Sequence, residues 1–310
     1  NKVLNISSSY RGVWNNLGNN AFRQQHFKEA ISYYYKELIN NNDPIPFRAL
    51  GRAFVELGET DSAKIYFEKS IKIDPSYGAA YFNLAQLEED EGNLDYALQY
   101  AKKAFGLDNG NLEYQYVYGS LLVQLGHEEK AIDNLNIIVD KWPWHHGAHY
   151  NLGRALVRIG QNDIGESYLE KAEKLRSKQA KIDHLENTVR AVPDDPLSYA
   201  VLAFNYRTVG RYNDAMHSYK VALYLDPSNF DIWNNVANLY LLQGDTTACL
   251  ETYNNVVTRN PLLTNIWLNM GVVYALSNQK SKARNAWNQI LTYEPNNVAA
   301  KSYLQKLDNN

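Results

Sequence analysis

A single cysteine, Cys249, in 310 residues excludes an intrachain disulfide framework and leaves the redox compartment open. Long apolar runs are missing too. None approaches the roughly 20 residues that span a bilayer, so no direct membrane insertion is expected of this segment. There is no excess of basic charge: 31 Lys and Arg against 34 Asp and Glu give a net charge of −3, which argues against a broad nucleic-acid or anionic-membrane surface. Recognisable chemistry is sparse. The chain has no Gly-rich phosphate loop, nucleophile elbow or dinucleotide fingerprint, so it offers no catalytic residue and no cofactor site, and we expect a protein that is not an enzyme. Nor is there an initiating Met. The chain starts at Asn1, and we expect the native N-terminus, with any signal peptide, anchor or further domain, to lie upstream; the compartment stays undetermined.

What is present has a globular composition, 45% apolar and 21% charged. The organising stretch runs from Trp267 through Met270, Gly271 and Tyr274 to Ala283, Trp287, Ile290 and Pro295. Large apolar residues recur there at helical spacing, with one small residue in each half. That pattern predicts two short antiparallel helices crossing closely at Gly271 and Ala283, the second stopped by the proline. The unit recurs along the chain. Small residues at the first crossing point are Gly18, Gly51, Ala85, Gly119, Gly153, Ala203, Ala237 and Gly271, at spacings of 33, 34, 34, 34, 50, 34 and 34. A second series, Ala30, Ala63, Ala97, Ala131, Gly165, Ala215, Cys249 and Ala283, repeats those spacings. Two series sharing one period and one anomaly specify a repeat protein.

A 34-residue helix–turn–helix unit with an aromatic, a small residue, a tyrosine, an alanine and a closing proline in this order resembles the tetratricopeptide repeat. Eight copies begin near Arg11, Pro44, Gly78, Leu112, His146, Pro196, Phe230 and Thr264. The leading aromatic is Trp14, Phe47, Tyr81, Tyr199, Trp233 or Trp267, but Gln115 and His149 replace it in the fourth and fifth copies. Gly58, Gly92, Gly126, Gly160, Gly210 and Gly244 mark the turn between helices, where a left-handed residue is needed; Asn278 and Gln25 stand there in the last and first copies. The resemblance implies an all-α fold, a right-handed superhelical solenoid of helix–turn–helix repeats ended by a C-terminal capping helix at 298–310. Residues 1–10 lead in, 11–179 hold repeats one to five, and 196–297 hold repeats six to eight. Between them, 180–195 is a helical insertion carrying the 16 surplus residues behind the 50-residue spacing. Leu175, Ile182, Leu185, Val189 and Val192 recur at helical intervals, with no Gly or Pro between Gly165 and Pro193. Either the second helix of repeat five runs on, straight or bent near Ser177, or an extra helix follows a short break. Its apolar stripe is expected to reset the superhelix or to meet a partner.

The resemblance also implies that first helices line a concave groove. The inward positions hold Asn15, Asn16, Asn19 and Arg23 in the first copy, Arg48 and Arg52 in the second, and Asn83 in the third. Tyr116 follows in the fourth, then Tyr150, Asn151 and Arg154, then Phe204 and Arg207. Asn234, Asn235 and Asn238 lie in the seventh copy and Asn269 in the eighth. Asparagine recurs at one register as Asn16, Asn83, Asn151, Asn235 and Asn269, and its amide can both donate to and accept from a peptide backbone. The set is similar to the asparagine ladder in the repeat region of O-GlcNAc transferase, although Ala49, Val117 and Val201 interrupt it. We therefore expect a protein-interaction scaffold that binds an extended peptide or protein segment, the aromatics giving apolar contact and the arginines favouring acidic groups. Two alternatives are the substrate-recognition region of a larger enzyme and a self-assembling scaffold that dimerises through 180–195 or a solenoid end. A carboxylate clamp for chaperone tails is broken, since Asn15 stands where that site needs Lys and Ala49 where it needs Asn.

Three histidines fall within Trp142–His149, but no acidic or cysteine ligand follows at a supporting interval; the segment reads as a tight loop-to-helix turn, with no metal assigned. Cys249 reads as a slightly larger alanine at a crossing. The acidic run Glu88, Glu89, Asp90 and Glu91 reads as a solvated face.

Overall fold

The computed structural model describes residues 12–40 and 42–309; the expected lead-in at 1–10 lies outside them. The described residues form seventeen α-helices and no strand. Two compact units divide the chain, Asn1–Lys174 and Leu175–Asn310. Unit 1 is built from α1 (Val13–Arg23), α2 (Phe27–Asn40), α3 (Pro44–Glu56), α4 (Thr60–Ile73), α5 (Gly78–Asp90), α6 (Leu94–Leu107), α7 (Leu112–Gln124), α8 (Glu128–Lys141), α9 (His146–Arg158) and the start of α10 (Asn162–Ala191). Unit 2 takes the rest of α10, then α11 (Pro196–Thr208), α12 (Tyr212–Leu225), α13 (Phe230–Leu242), α14 (Thr246–Arg259), α15 (Thr264–Leu276), α16 (Lys280–Tyr293) and α17 (Val298–Asn309). Within each unit successive helices pack pairwise and each pair packs on the next, an all-α solenoid.

The turns explain how so short a connection reverses the chain. Gly58, Gly92, Gly126, Gly160, Gly210 and Gly244 all have φ between 75° and 87°, and Gln25 (62°) and Asn278 (58°) adopt the same left-handed conformation. Each turn delivers the second helix onto the small residue of the first. The rings of Tyr34, Phe67 and Trp287 lie directly against Gly18, Gly51 and Gly271, where an added Cβ would collide with them. In the fifth pair both partners are glycine, and a Cβ on Gly165 would sit 2.8 Å from the Gly153 carbonyl oxygen. Ala30, Ala63, Ala97, Ala131, Ala215, Cys249 and Ala283 are wholly buried at the matching crossings. Trp287, Tyr34, Tyr219, Tyr253 and Phe67 are nearly inaccessible; burial of each side chain this large contributes roughly 1.5–3 kcal/mol.

Helix α10 is one helix of 30 residues, about 45 Å long at 1.5 Å per residue, with no break at Ser177. Its apolar residues are not free. Leu175, Ile182 and Val189 are buried, Ile182 completely, and Leu185 is half-buried; Val192, just past the helix, is exposed. Of the two roles expected for the stripe, meeting a partner is the one its burial opposes: Leu175, Ile182 and Val189 belong to the core. Tyr206 Oη of α11 donates to Glu186 Oε1 at 2.6 Å and Lys178 Nζ donates to the Thr208 carbonyl at 3.5 Å, so α11 lies along this half of α10. A dimer joined by an apolar stripe at 180–195 loses its basis.

Two carboxylates are buried, and one of them, Glu88, departs from the sequence reading. Glu37 of α2, 2% exposed, accepts from the backbone N–H groups of Gly12 (2.6 Å), Trp14 (3.1 Å) and Asn15 (3.2 Å), and so caps the N-terminus of α1 from the neighbouring helix. Glu88 is 1% exposed, paired with Lys64 and accepting from Asn93 Nδ2 at 2.9 Å. It is not part of a solvated face, because the turn folds Asn93 and α4 brings Lys64 onto it. Among the described residues no helix is long and apolar enough to cross a membrane.

Candidate functional site

In unit 1 the first helices touch one another as well as their own partners, α1 with α3, α3 with α5 and α7 with α9. They form the inner side of the stack. Between α1 and α3 lies a cleft of about 580 Å³ lined by Asn19, Phe22, Arg23, Gln25, Phe27, Arg48, Arg52 and Glu56. It meets a second cleft of about 280 Å³, which shares Arg52 and Glu56 and adds Asn83, Gln86 and Asp90. Three arginines and one carboxylate, Glu56, therefore line the first cleft. Arg52 stacks over the Phe22 ring at 4.9 Å, and both its partial burial and the nearby Arg48 charge pull its pKa down. Arg48 is held by the Tyr77 hydroxyl (Nε to Oη 2.9 Å) and by Asn83 Oδ1 (3.4 Å).

The asparagines occupy less uniform surroundings than one register suggests. Asn16 is exposed, and Asn235 is half-buried. Asn83 accepts from Arg48 and donates to Gln86 Oε1 at 3.3 Å. Asn151, 9% exposed, donates to Ser120 Oγ at 3.0 Å. Asn269 donates to Asn234 Oδ1 at 2.9 Å. Three of the five thus bond a neighbour on the preceding first helix or beside them on their own. Asn19 and Asn238 serve the interior instead. Each accepts the hydroxyl proton of a buried tyrosine fifteen residues on, Tyr34 at 3.0 Å and Tyr253 at 2.8 Å. Asn15 has a buried side-chain oxygen without a partner. Such pairings connect residues 15 or about 35 apart, a separation that no local spacing rule addresses.

The aromatic candidates divide as well. Tyr150 is half exposed beneath Arg154 (5.7 Å to the ring), and Phe204 is 46% exposed beneath Arg207 (5.0 Å). Tyr116 instead packs on His145, ring centres 4.3 Å apart. That histidine caps α9 by accepting from the Ala148 N–H at 3.0 Å, a bond only the unprotonated ring can make; burial and neighbouring His146 hold its pKa down at about 4. His149, 1% exposed, stacks on Tyr168 and points Nε2 at the Pro143 carbonyl at 3.0 Å. Trp233 and Trp267 donate to Pro227 and Pro261 in the same way, so His149 replaces a leading aromatic in bond as well as in volume. Burial pushes the Cys249 thiol up to about 11, so its reactive thiolate is suppressed.

Models of tetratricopeptide repeat families match residues 48–111, 146–179, 205–244 and 230–261, which together make up half of the chain. The chain belongs to the tetratricopeptide-repeat family. It is 32% identical over 95 residues to small glutamine-rich tetratricopeptide repeat-containing protein 2 of Mycosarcoma maydis, covering 30% of this chain and 27% of that one. It is 26% identical over 135 residues to the type IV pilus assembly protein PilF of Pseudomonas aeruginosa, covering 43% and 54%. The chain thus spans between about a quarter and about half of the length of these relatives. Among solved structures, MamA (41-end) from Desulfovibrio magneticus RS-1 superposes on 56% of this chain and 97% of its own at 21% identity and a TM-score of 0.48. As a tetratricopeptide-repeat protein the chain is a protein-interaction scaffold in general terms; the families matched are repeat families, none a catalytic domain.

Proposed function

We propose that this tetratricopeptide-repeat protein acts as a scaffold rather than an enzyme, and that the inner side of unit 1 binds an extended, acidic segment of a protein partner. The carrying observation is the pair of joined clefts across α1, α3 and α5, where the three arginines Arg23, Arg48 and Arg52 outnumber the two carboxylates Glu56 and Asp90. Burial and then the Arg48 charge disfavour the charged form of Arg52, and an incoming carboxylate offsets both while accepting charge-assisted bonds. Asn19, Asn83 and Gln86 beside them offer amide groups to a peptide backbone. A peptide array of random 12-mers read with wild type and with Arg48→Ala plus Arg52→Ala tests it. Wild type is expected to select Asp- and Glu-rich spots that fade at 0.5 M salt, and the double variant to bind them at least tenfold more weakly with unchanged helicity. An array whose preferences are the same for both proteins overturns the reading.

A further inference from the structure

The residue just after each first-helix crossing faces the tyrosine or other large residue of the second helix. In three pairs that second-helix residue is a deeply buried tyrosine: Tyr34, Tyr219 and Tyr253. Two of the three are completed by an asparagine, Asn19 for Tyr34 and Asn238 for Tyr253. In α11 the same position holds Phe204, and the Tyr219 hydroxyl, fully buried, has no hydrogen-bond partner. An unmet buried hydroxyl carries a desolvation cost, and Phe204 does not offset it by packing inward, because it stays 46% exposed.

Phe204 is also not alone. Leu197 (61% exposed) and Val201 (47%) lie at i−7 and i−3 of the same helix and so share its outer stripe. The corresponding three positions are Gly12, Asn16 and Asn19 in the first repeat, Asp231, Asn235 and Asn238 in the seventh, and Asn265, Asn269 and Val272 in the eighth. Among the described first helices, α11 is the one with exposed large apolar residues at all three. Arg207, stacked on Phe204, makes no ion pair among the described residues. The stripe therefore ends in an available positive charge.

From the orphaned Tyr219 hydroxyl, the outward Phe204 and the unpaired Arg207 we infer a second docking site on α11, distinct in chemistry from the basic clefts of unit 1. It takes a short protein segment with two or three apolar side chains along one edge and an Asp or Glu at the Arg207 end. The stripe from Leu197 to Phe204 is about 10 Å long at helical rise, enough for that number of side chains and no more. This rests on the scaffold reading of the chain but not on the clefts of unit 1, and the two fail separately.

The test is a phage-displayed library of random 16-mers panned on the full chain, with counterselection on Phe204→Asn. That variant gives Tyr219 the acceptor its counterparts have, so its melting temperature is expected to equal or exceed that of wild type. Val201→Asn, the residue found in this register in the next two repeats, serves as a second variant. Surviving peptides are expected to carry clustered Leu, Ile, Phe or Met beside an acidic residue. They should bind wild type at least tenfold more tightly than either variant, and should bind Arg48→Ala plus Arg52→Ala as wild type. Failure of any peptide to survive counterselection, or equal binding to wild type and both variants, overturns the site. Peptides lost with the unit 1 arginines but indifferent to Phe204 and Val201 overturn it too, while leaving the unit 1 reading intact.

Discussion

Unit 1 and unit 2 use the same helical pair and put different chemistry at the same place on it. Just past the crossing, unit 1 has Asn19, which completes Tyr34, and Arg52, which stacks on Phe22 and lines two clefts. Unit 2 has Asn238, which completes Tyr253, and Phe204, which completes nothing and faces solvent above a bare Tyr219 hydroxyl. One backbone position can thus either complete the interior or face solvent. Which it does is set by the side chain at the position itself, because the residue fifteen places on is a buried tyrosine after Asn19, Phe204 and Asn238 alike. A register that recurs along the first helices does not by itself leave an amide unpartnered, because adjacent repeats compete for the same amides.

The largest test of this contrast is Ile182→Asp, which buries a carboxylate where the side chain is wholly inaccessible. A loss of about 4 kcal/mol or more is expected, read by denaturant unfolding and by loss of hydrogen-exchange protection in α11 and α12. Retention of native stability would restore the stripe at 180–195 as a surface.

Acid comes next, and it is expected to act on unit 1. His145 titrates at about 4 in the folded chain against 6.5 ordinarily, and His149 is also lowered, chiefly by burial. The unfolded chain therefore binds more protons between these values, so stability is full above pH 6.5 and falls as the pH drops towards 4, by on the order of 2 kcal/mol. His184 and His217 in unit 2 are exposed. Exchange protection measured at pH 7 and pH 4.5 should fall in α9 and persist in α11; His145→Asn, which keeps a capping acceptor, should flatten the dependence. Equal loss in both helices would sink the assignment.

The smallest effects divide the tyrosines. Tyr34→Phe and Tyr253→Phe each strand an asparagine acceptor and should cost about 1 kcal/mol, whereas Tyr219→Phe removes an unpaired hydroxyl and should be neutral or slightly stabilising. Thermal melts of the three single variants are enough to decide. A loss at Tyr219 equal to the others would mean that its hydroxyl is already satisfied.

Much of the fold was written in local spacing. The two series of small residues located the crossings, and the left-handed turns were placed correctly even at Gln25 and Asn278, because a reversal that tight accepts few conformations. The pairing of amides was not legible. A recurring asparagine looks the same in sequence whether it is exposed, as Asn16, or buried against Ser120, as Asn151. Glu88 likewise reads as part of a solvated face until Lys64 is brought to it.

By itself, then, the sequence determined the repeat, its turns and the helices they join, since period, small residues and left-handed positions act within a few residues of one another. Only the tertiary structure decided that the stripe of α10 is core, that Asn19 and Asn238 serve tyrosines, and that Phe204 is left facing out. Those outcomes depend on contacts 15 to 35 residues apart, where the partner sets the role of a side chain.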